Sequence, residues 1–326
     1  MRFIDQVEVR RGLPYDISIP LVRQAMIALS AGETRQVLRS IIPLAEGRAF
    51  GVMPGALGER AIFGAKLVSV FPENAARNLQ SHQGVVVLFD GETGQPLCVA
   101  HAGEVTALRT AAASAVATDA LASPRASRLA ILGYGEQGLA HARAIAKVRD
   151  LAEITVWGRS PDRAAAFARV IAAELGAPVR ACQTAQAAVD HADIICTVTA
   201  AKTPVLLGQW VRPGAHVNVV GSSYAGPTEI DDDLVAAARF IADSRKGVLA
   251  QGAEFLSAKA AGRVGDDHVV GEIGEVLAGR LEGRQSTQQI TLYKSLGHIV
   301  QDLVVVQALL DAPPAGAPRP VSGSRA

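Results

Sequence analysis

Residues 128–160, RLAILGYGEQGLAHARAIAKVRDLAEITVWGRS, decide the fold. Leu129–Leu132 is a short continuous apolar run, the pattern of a strand buried on both faces. Gly133, Gly135 and Gly138 follow as G-x-G-x-x-G, with Tyr134, Glu136 and Gln137 between them. Leu139–Val148 carries apolar residues at helical spacing without Gly or Pro, and Ile154–Trp157 reads as a second strand. Strand, glycine turn, helix and strand in about thirty residues is the setting in which this motif binds a dinucleotide. One glycine allows the tight turn, one lets backbone approach a pyrophosphate, and one lets helix and strand pack closely. The N–H groups and dipole of the helix N-terminus favour the anion.

The end of the second strand bears on which dinucleotide. A NAD site usually places Asp or Glu there to hold the ribose 2′-hydroxyl. Here the chain reads Trp157-Gly158-Arg159-Ser160, with no acid, and Arg163 follows one turn on. A guanidinium and a hydroxyl suit a 2′-phosphate. NADP(H) is favoured, with NAD(H) as the alternative.

Composition excludes several classes. Thirty-two basic residues nearly balance 31 acidic ones, so no basic field for nucleic acid and no polybasic membrane anchor is expected. No apolar run reaches membrane-spanning length, and the N-terminus lacks a signal-peptide pattern, so a cytoplasmic protein is expected. Cys98, Cys182 and Cys196 are widely spaced and odd in number, which predicts buried free thiols and no metal site.

Upstream of the glycine motif the pattern is β-rich. Residues 1–15 are weakly patterned. Ser18 is a candidate cap for a helix carrying Pro20 in its first turn and ending near Gly32. Strands are predicted at Val37–Leu44, Phe50–Pro54, Phe63–Phe71 and Val85–Phe89, the last joined to Pro96–Ala100 through the turn Asp90–Gly94. A helix follows at Glu104–Leu121. Arg39, Lys66 and Arg109 lie inside these apolar segments, where a cation is costly unless paired. Three such cations ahead of a hydride-carrier site point to an anionic substrate, with His82 as a fourth polar candidate.

Downstream, the α/β alternation continues. Helices are predicted at Pro161–Leu175 and Thr184–Asp190, and strands at Ala192–Thr199, Ala215–Val220 and Phe240–Asp243. Asp231–Asp233 read as helix caps. In open α/β sheets ligands bind at the carboxyl ends of the strands. Thr197, Val198 and Thr199, with Val220, Gly221 and Ser222, are therefore placed to reach the nicotinamide half. Gly271–Val276 starts a short helix with capping acids. Ile290–Leu310 reads as one long helix opening at Lys294-Ser295-Leu296-Gly297. The tail is rich in Pro, Gly, Ala and Ser and is expected to be disordered.

Gly64-Ala-Lys66-Leu-Val, Ser81-His82-Gln83, Thr106-Ala-Leu-Arg109-Thr-Ala-Ala-Ala-Ser-Ala and Lys294-Ser-Leu-Gly297 resemble the ornithine cyclodeaminase/mu-crystallin family, from about Pro20 to Leu310. The arginine-helix motif is the most specific part. The resemblance implies a Rossmann doubly wound parallel sheet at 116–298 and a second, α+β substrate-binding and dimerisation domain at 1–115. The C-terminal helix, 299–312, completes that second domain, and 313–326 form the tail. It implies a homodimer, and it places Arg39, Lys66 and Arg109 around the substrate carboxylate and reacting centre; His82 is a further substrate-binding candidate, and Ser295 and Gly297 are cofactor-binding candidates. Cyclodeaminases carry an aspartate in the loop after the strand ending at Val220, and Ser223 stands in its place here. An unactivated serine hydroxyl is a poor base near neutral pH. The resemblance therefore implies an NAD(P)H-dependent reductase of a small, cyclic α-imino acid such as pyrroline-2-carboxylate or piperideine-2-carboxylate, with Lys66, Arg109 and Ser223 as catalytic candidates. The alternatives are amino-acid dehydrogenation, ornithine or lysine cyclodeamination, and non-catalytic binding of NADPH and a carboxylate, as in mu-crystallin.

Overall fold

A computed structural model describes residues 1–77 and 79–312; the tail at 313–326 lies outside the described residues. The chain builds two sheets. The first contains β1 (Arg2–Ile4), β2 (Arg35–Gln36), β3 (Ser40–Pro43), β4 (Ala49–Ala56), β5 (Phe63–Val70), β6 (His82–Phe89) and β7 (Pro96–His101). Its order is β1-β7-β6-β5-β4-β2, with β3 also on β4. All pairs are antiparallel except β1 with β7. Asp90 organises the β6–β7 turn, its Oδ1 accepting from the N–H groups of Glu92 and Thr93 and from the Thr93 hydroxyl.

Helices α1 (Gln6–Gly12), α2 (Tyr15–Ser30) and α3 (Ala102–Leu121) accompany this sheet. Nearly all of α3 is buried, and its run of alanines lets neighbours approach on every side. It touches α2 and the sheet, and it crosses residue 115 as one unbroken helix.

The second sheet contains β8 (Arg128–Leu132), β9 (Glu153–Trp157), β10 (Val179–Ala181), β11 (Ile194–Thr197), β12 (His216–Val219), β13 (Arg239–Ala242), β14 (Val269–Glu272) and β15 (Thr291–Lys294). All are parallel, in the order β10-β9-β8-β11-β12-β15-β13-β14. The order reverses between β8 and β11, the switch point at which a doubly wound sheet opens a ligand crevice. Helices α4 (Glu136–Ile145), α5 (Pro161–Leu175), α6 (Ala185–Val189), α7 (Asp232–Ala237), α8 (Arg245–Gln251), α9 (Ala253–Ala260) and α10 (Ile273–Leu277) connect the strands. Local chemistry sets their ends. Ser160 caps α5 ahead of Pro161, and Gly176 ends it in the left-handed region. Asp231 caps α7 as expected.

The last helix, α11 (Ile299–Asp311), leaves this sheet and lies against α2, α3 and strands β4–β6. Cys98, Cys182 and Cys196 are buried free thiols. Among the described residues no helix is long and apolar enough to cross a membrane.

Several sequence expectations are corrected. Ile290–Leu310 is not one helix: it is β15, a turn and α11. A continuous apolar run suits a buried strand as well as a buried helix, so periodicity could not separate them. Ser18 is not a cap but a buried residue inside α2, which begins after Pro14. The strand expected at Val37–Leu44 is confined to β3, leaving Arg39 in a loop. The helix expected at Leu139–Val148 starts earlier, at Glu136. His82 opens β6, and residues 1–15 form β1 and α1, which their weak pattern did not signal.

Candidate active site

The glycine turn takes the shape its sequence requires. Gly133 has φ +124°, and a Cβ there would meet the Val198 carbonyl oxygen at 2.6 Å. Gly138 lets α4 close onto β8, since its Cβ would meet the Gly133 carbonyl oxygen at 2.7 Å and the Phe167 ring at 3.0 Å. Gly135 faces open space, and no side chain caps α4. The first N–H groups of α4 are therefore available to a pyrophosphate. In this turn Gln137 Oε1 is buried without a hydrogen-bond partner among the described residues, and so is Ser295 Oγ, just after β15, three strands along the sheet from β8. These features fit a dinucleotide.

At the end of β9 the Tyr134 ring covers Gly158 so closely that any side chain there would collide with it. The Arg163 guanidinium sits 4.8 Å over the same ring, a cation–π contact. Arg159 is exposed, and Ser160 is occupied as the α5 cap.

The loops after β11 and β12 are tied by buried acids that the sequence reading did not single out. Glu229 accepts from Thr197 Oγ1 (2.8 Å), Thr199 N (2.6 Å), Thr199 Oγ1 (2.8 Å) and Gly221 N (2.6 Å). Lys294, at the end of β15, donates to Ser222 O and Ser222 Oγ, both at 2.6 Å, and pairs with Glu254 Oε2 at 2.6 Å. Glu254 Oε1 accepts from the Ser222 hydroxyl and from Glu229 N. Ser223 follows, half-buried, with no side-chain hydrogen bond among the described residues.

The three cations converge on the facing side. Lys66 on β5 is 2% exposed and donates to Thr106 Oγ1 at 2.5 Å and Asp302 Oδ1 at 3.0 Å. Arg109 on α3 donates through Nε to the same Oδ1 at 3.1 Å and through Nη1 to Gln301 Oε1 at 2.9 Å. Asp302 is fully buried on α11, and its Oδ2 has no partner among the described residues. Burial alone would raise its carboxyl pKa, but Arg109 and Lys66 outweigh burial and hold it below the ordinary value. Burial lowers the Lys66 pKa to about 8, with Asp302 opposing the shift and Arg109 assisting it.

Arg39 reaches the same place from its loop. Its Nη2 donates to Leu296 O (2.5 Å) and Gly297 O (2.6 Å). Asp243 clamps the other side of that turn, its Oδ2 accepting from the N–H groups of Leu296 and Gly297 at 2.7 Å. Gly297, at φ +78°, lies under the Arg109 guanidinium, where a Cβ would meet Nη1 at 2.5 Å. Arg39, Asp243, Gly297 and His298 line a small pocket, about 30 Å³, that opens to solvent. His82 opens β6 on the solvent side, within the field of the Lys66 and Arg109 charges. Burial and the Arg39 charge bring the pKa of His298, the α11 cap, to about 4.

The structure thus brings Arg39, Lys66, His82 and Arg109 together, and adds Asp302, Gln301, Thr106 and Asp243. One signal could have found Asp302: a lone acid in the apolar run Ile299–Leu310, subject to the same burial cost as the cations.

A model of the ornithine cyclodeaminase/mu-crystallin family matches residues 2–314. The chain is 35% identical to mouse (Mus musculus) ketimine reductase mu-crystallin over 90% of its own length and 91% of that protein's. It is 32% identical to a Δ1-pyrroline-2-carboxylate reductase of Bacillus cereus (strain ZK / E33L), covering 95% and 96%. Among solved structures, it superposes with a TM-score of 0.92 and 30% identity on Thermococcus litoralis Δ1-pyrroline-2-carboxylate reductase in complex with NADH and L-proline, covering 95% and 96%. An archaeal alanine dehydrogenase dimer with bound NAD gives 0.89 at 27% identity, covering 95% of each chain.

Proposed function

The chain belongs to the ornithine cyclodeaminase/mu-crystallin family, and on that premise we propose that it reduces a small cyclic α-imino acid, of the pyrroline-2-carboxylate or piperideine-2-carboxylate type, to the amino acid. It is an NAD(P)H-dependent oxidoreductase acting on C=N bonds. The observation that carries the finer reading is the cluster around Asp302. Among the described residues Arg39, Lys66 and Arg109 face only two carboxylates, Asp302 and Asp243, which leaves one positive charge for a substrate carboxylate. Arg109 Nη2 is not committed to any partner among the described residues, so it and Arg39 would hold that carboxylate in a bidentate grip.

Reduction adds a hydride to the imine carbon and a proton to its nitrogen. When bound, the nicotinamide supplies the hydride. Lys66, with a pKa of about 8, is mostly protonated at neutral pH and would deliver the proton to nitrogen. Asp302 and Thr106 aim the Lys66 ammonium by taking two of its three hydrogen bonds. Ser223 has no side-chain hydrogen bond, and so no activating base, among the described residues, which favours imine reduction over cyclodeamination.

NADP(H) is the preferred carrier in this reading, because Arg159 is exposed at the end of β9 and no acid stands there to hold a ribose diol. Residues 1–115 with α11 would form the substrate-binding and dimerising unit. Exposed Val37, Ile41, Ile42, Leu44 and Phe63 supply the apolar face for pairing.

The test is a panel of pyrroline-2-carboxylate, piperideine-2-carboxylate, pyruvate with ammonia, and ornithine, each with NADPH or NADH. Cofactor oxidation with formation of proline or pipecolate is expected, faster with NADPH. Ammonia release and proline formation from ornithine would overturn the assignment.

A further inference from the structure

The charges beneath the two loops do not balance. Glu229 and Glu254 are 0% and 1% exposed, and among the described residues the one cation that meets either of them is Lys294, itself 0% exposed. Glu254 is paired with Lys294 and also accepts from the Ser222 hydroxyl and Glu229 N, as an ionised carboxylate does. Burial pushes the Glu229 carboxyl upward, but a fixed backbone N–H points at each of its oxygens, Thr199 N at Oε1 and Gly221 N at Oε2. The hydroxyls of Thr197 and Thr199 complete four donors. Every partner of Glu229 in this arrangement donates, and the two backbone N–H groups can do nothing else, so the geometry suits an acceptor-only carboxylate. One negative charge remains under Thr197–Thr199 and Gly221–Ser222.

The substrate half carries the opposite sign, with its surplus positive charge near Asp302 and Asp243. The site is thus polarised between the end of β12 and the α3–α11 cluster.

We infer that Glu229, Glu254 and Lys294 are positioning residues with an electrostatic role: they fix the loops after β11 and β12, and their surplus negative charge favours the oxidised, cationic nicotinamide over the reduced, neutral one. This rests on the reading of those loops as the nicotinamide site. Hydride departs with its electron pair and leaves the ring positive, so a preorganised anion nearby lowers the barrier to its departure. In a buried setting such a charge acts strongly over several ångströms, because little water screens it.

Equilibrium titration with NADP⁺, NADPH, NAD⁺ and NADH separates charge from loop support. The comparison uses wild type, Glu229→Gln, Glu254→Gln and Ser222→Ala. Each Glu→Gln change removes one negative charge and is expected to raise Kd(oxidised)/Kd(reduced) by about 3- to 10-fold. Ser222→Ala removes hydrogen bonds from the same network without changing its charge, and should move both Kd values together. Should Glu229→Gln fail to fold, as its thermal melt would show, Glu254→Gln reads the same ratio. Ratios unchanged in the Glu variants, or shifted equally in Ser222→Ala, overturn the inference while leaving the enzyme reading intact. Failure of wild type to bind any of the four cofactors would instead overturn that reading.

Discussion

Lys66 and Asp302 show how one buried pair sets a site's chemistry. Burial lowers the Lys66 pKa and by itself would raise that of Asp302, so each group alone would be costly to keep charged. Together, with Arg109 sharing Asp302 Oδ1, they keep an ammonium protonated near neutrality yet able to give its proton up. The sign of a perturbation follows. Asp302 raises the Lys66 pKa, so Asp302→Asn should lower it below about 8. A proton donor is lost as pH rises through its pKa, so the basic limb of the kcat/KM profile should move to lower pH. Breaking a buried pair also costs stability, about 3–5 kcal/mol here. Rate profiles and denaturant melts check the two effects separately; an unmoved basic limb would assign that limb to another group.

At the scale of elements, the decisive feature is the joint between β15 and α11. The β15 strand ends beside β12 and β13, and within four residues α11 has left for the other sheet. Gly297 makes the turn at φ +78°, with Asp243 holding its N–H side and Arg39 its carbonyl side. A methyl group at Gly297 would strain the backbone by about 1–2 kcal/mol. It would also displace the Arg109 guanidinium that lies over it. Gly297→Ala is therefore expected to raise KM for the imino acid about tenfold or more, the worth of one charge-assisted hydrogen bond. It should change cofactor affinity far less. Steady-state kinetics with separate cofactor titration would show this. A loss confined to cofactor binding would contradict the geometry. A second joint ties the two sites: His141 on α4 bonds Ser114 on α3 at 2.9 Å, linking the dinucleotide helix to the arginine helix.

For the whole molecule, the distribution of apolar surface matters. Most of the large exposed apolar side chains belong to the first sheet and its helices, including Ile41 at 41%, Ile42 at 54% and Val37 at 65% exposure. The edge strand β3 is exposed at all four residues, an unprotected edge that invites pairing. A homodimer through this face should sediment at twice the chain mass at micromolar concentration. The double change Ile41→Glu, Ile42→Glu should convert it to monomer with the Rossmann-type sheet still folded. A wild-type monomer at that concentration would contradict the dimer.

The sequence by itself determined the parallel sheet, the glycine turn and the ends of α5 and α7. Each rests on chemistry within a few neighbours: a left-handed glycine, a capping hydroxyl or carboxylate, a short apolar run. It also marked Arg39, Lys66 and Arg109, because a cation in an apolar segment is conspicuous wherever it pairs. Only the tertiary structure decided what they pair with. Asp302 is 236 residues from Lys66 and 193 from Arg109, and no spacing links them. Glu229, Glu254 and Lys294 meet for the same reason, brought together by the ends of parallel strands that are neighbours in the sheet and distant in the chain. The division of Ile290–Leu310 into a strand and a helix was likewise decided in three dimensions. An apolar run is content in either form, and the open slot between β12 and β13 selected the strand.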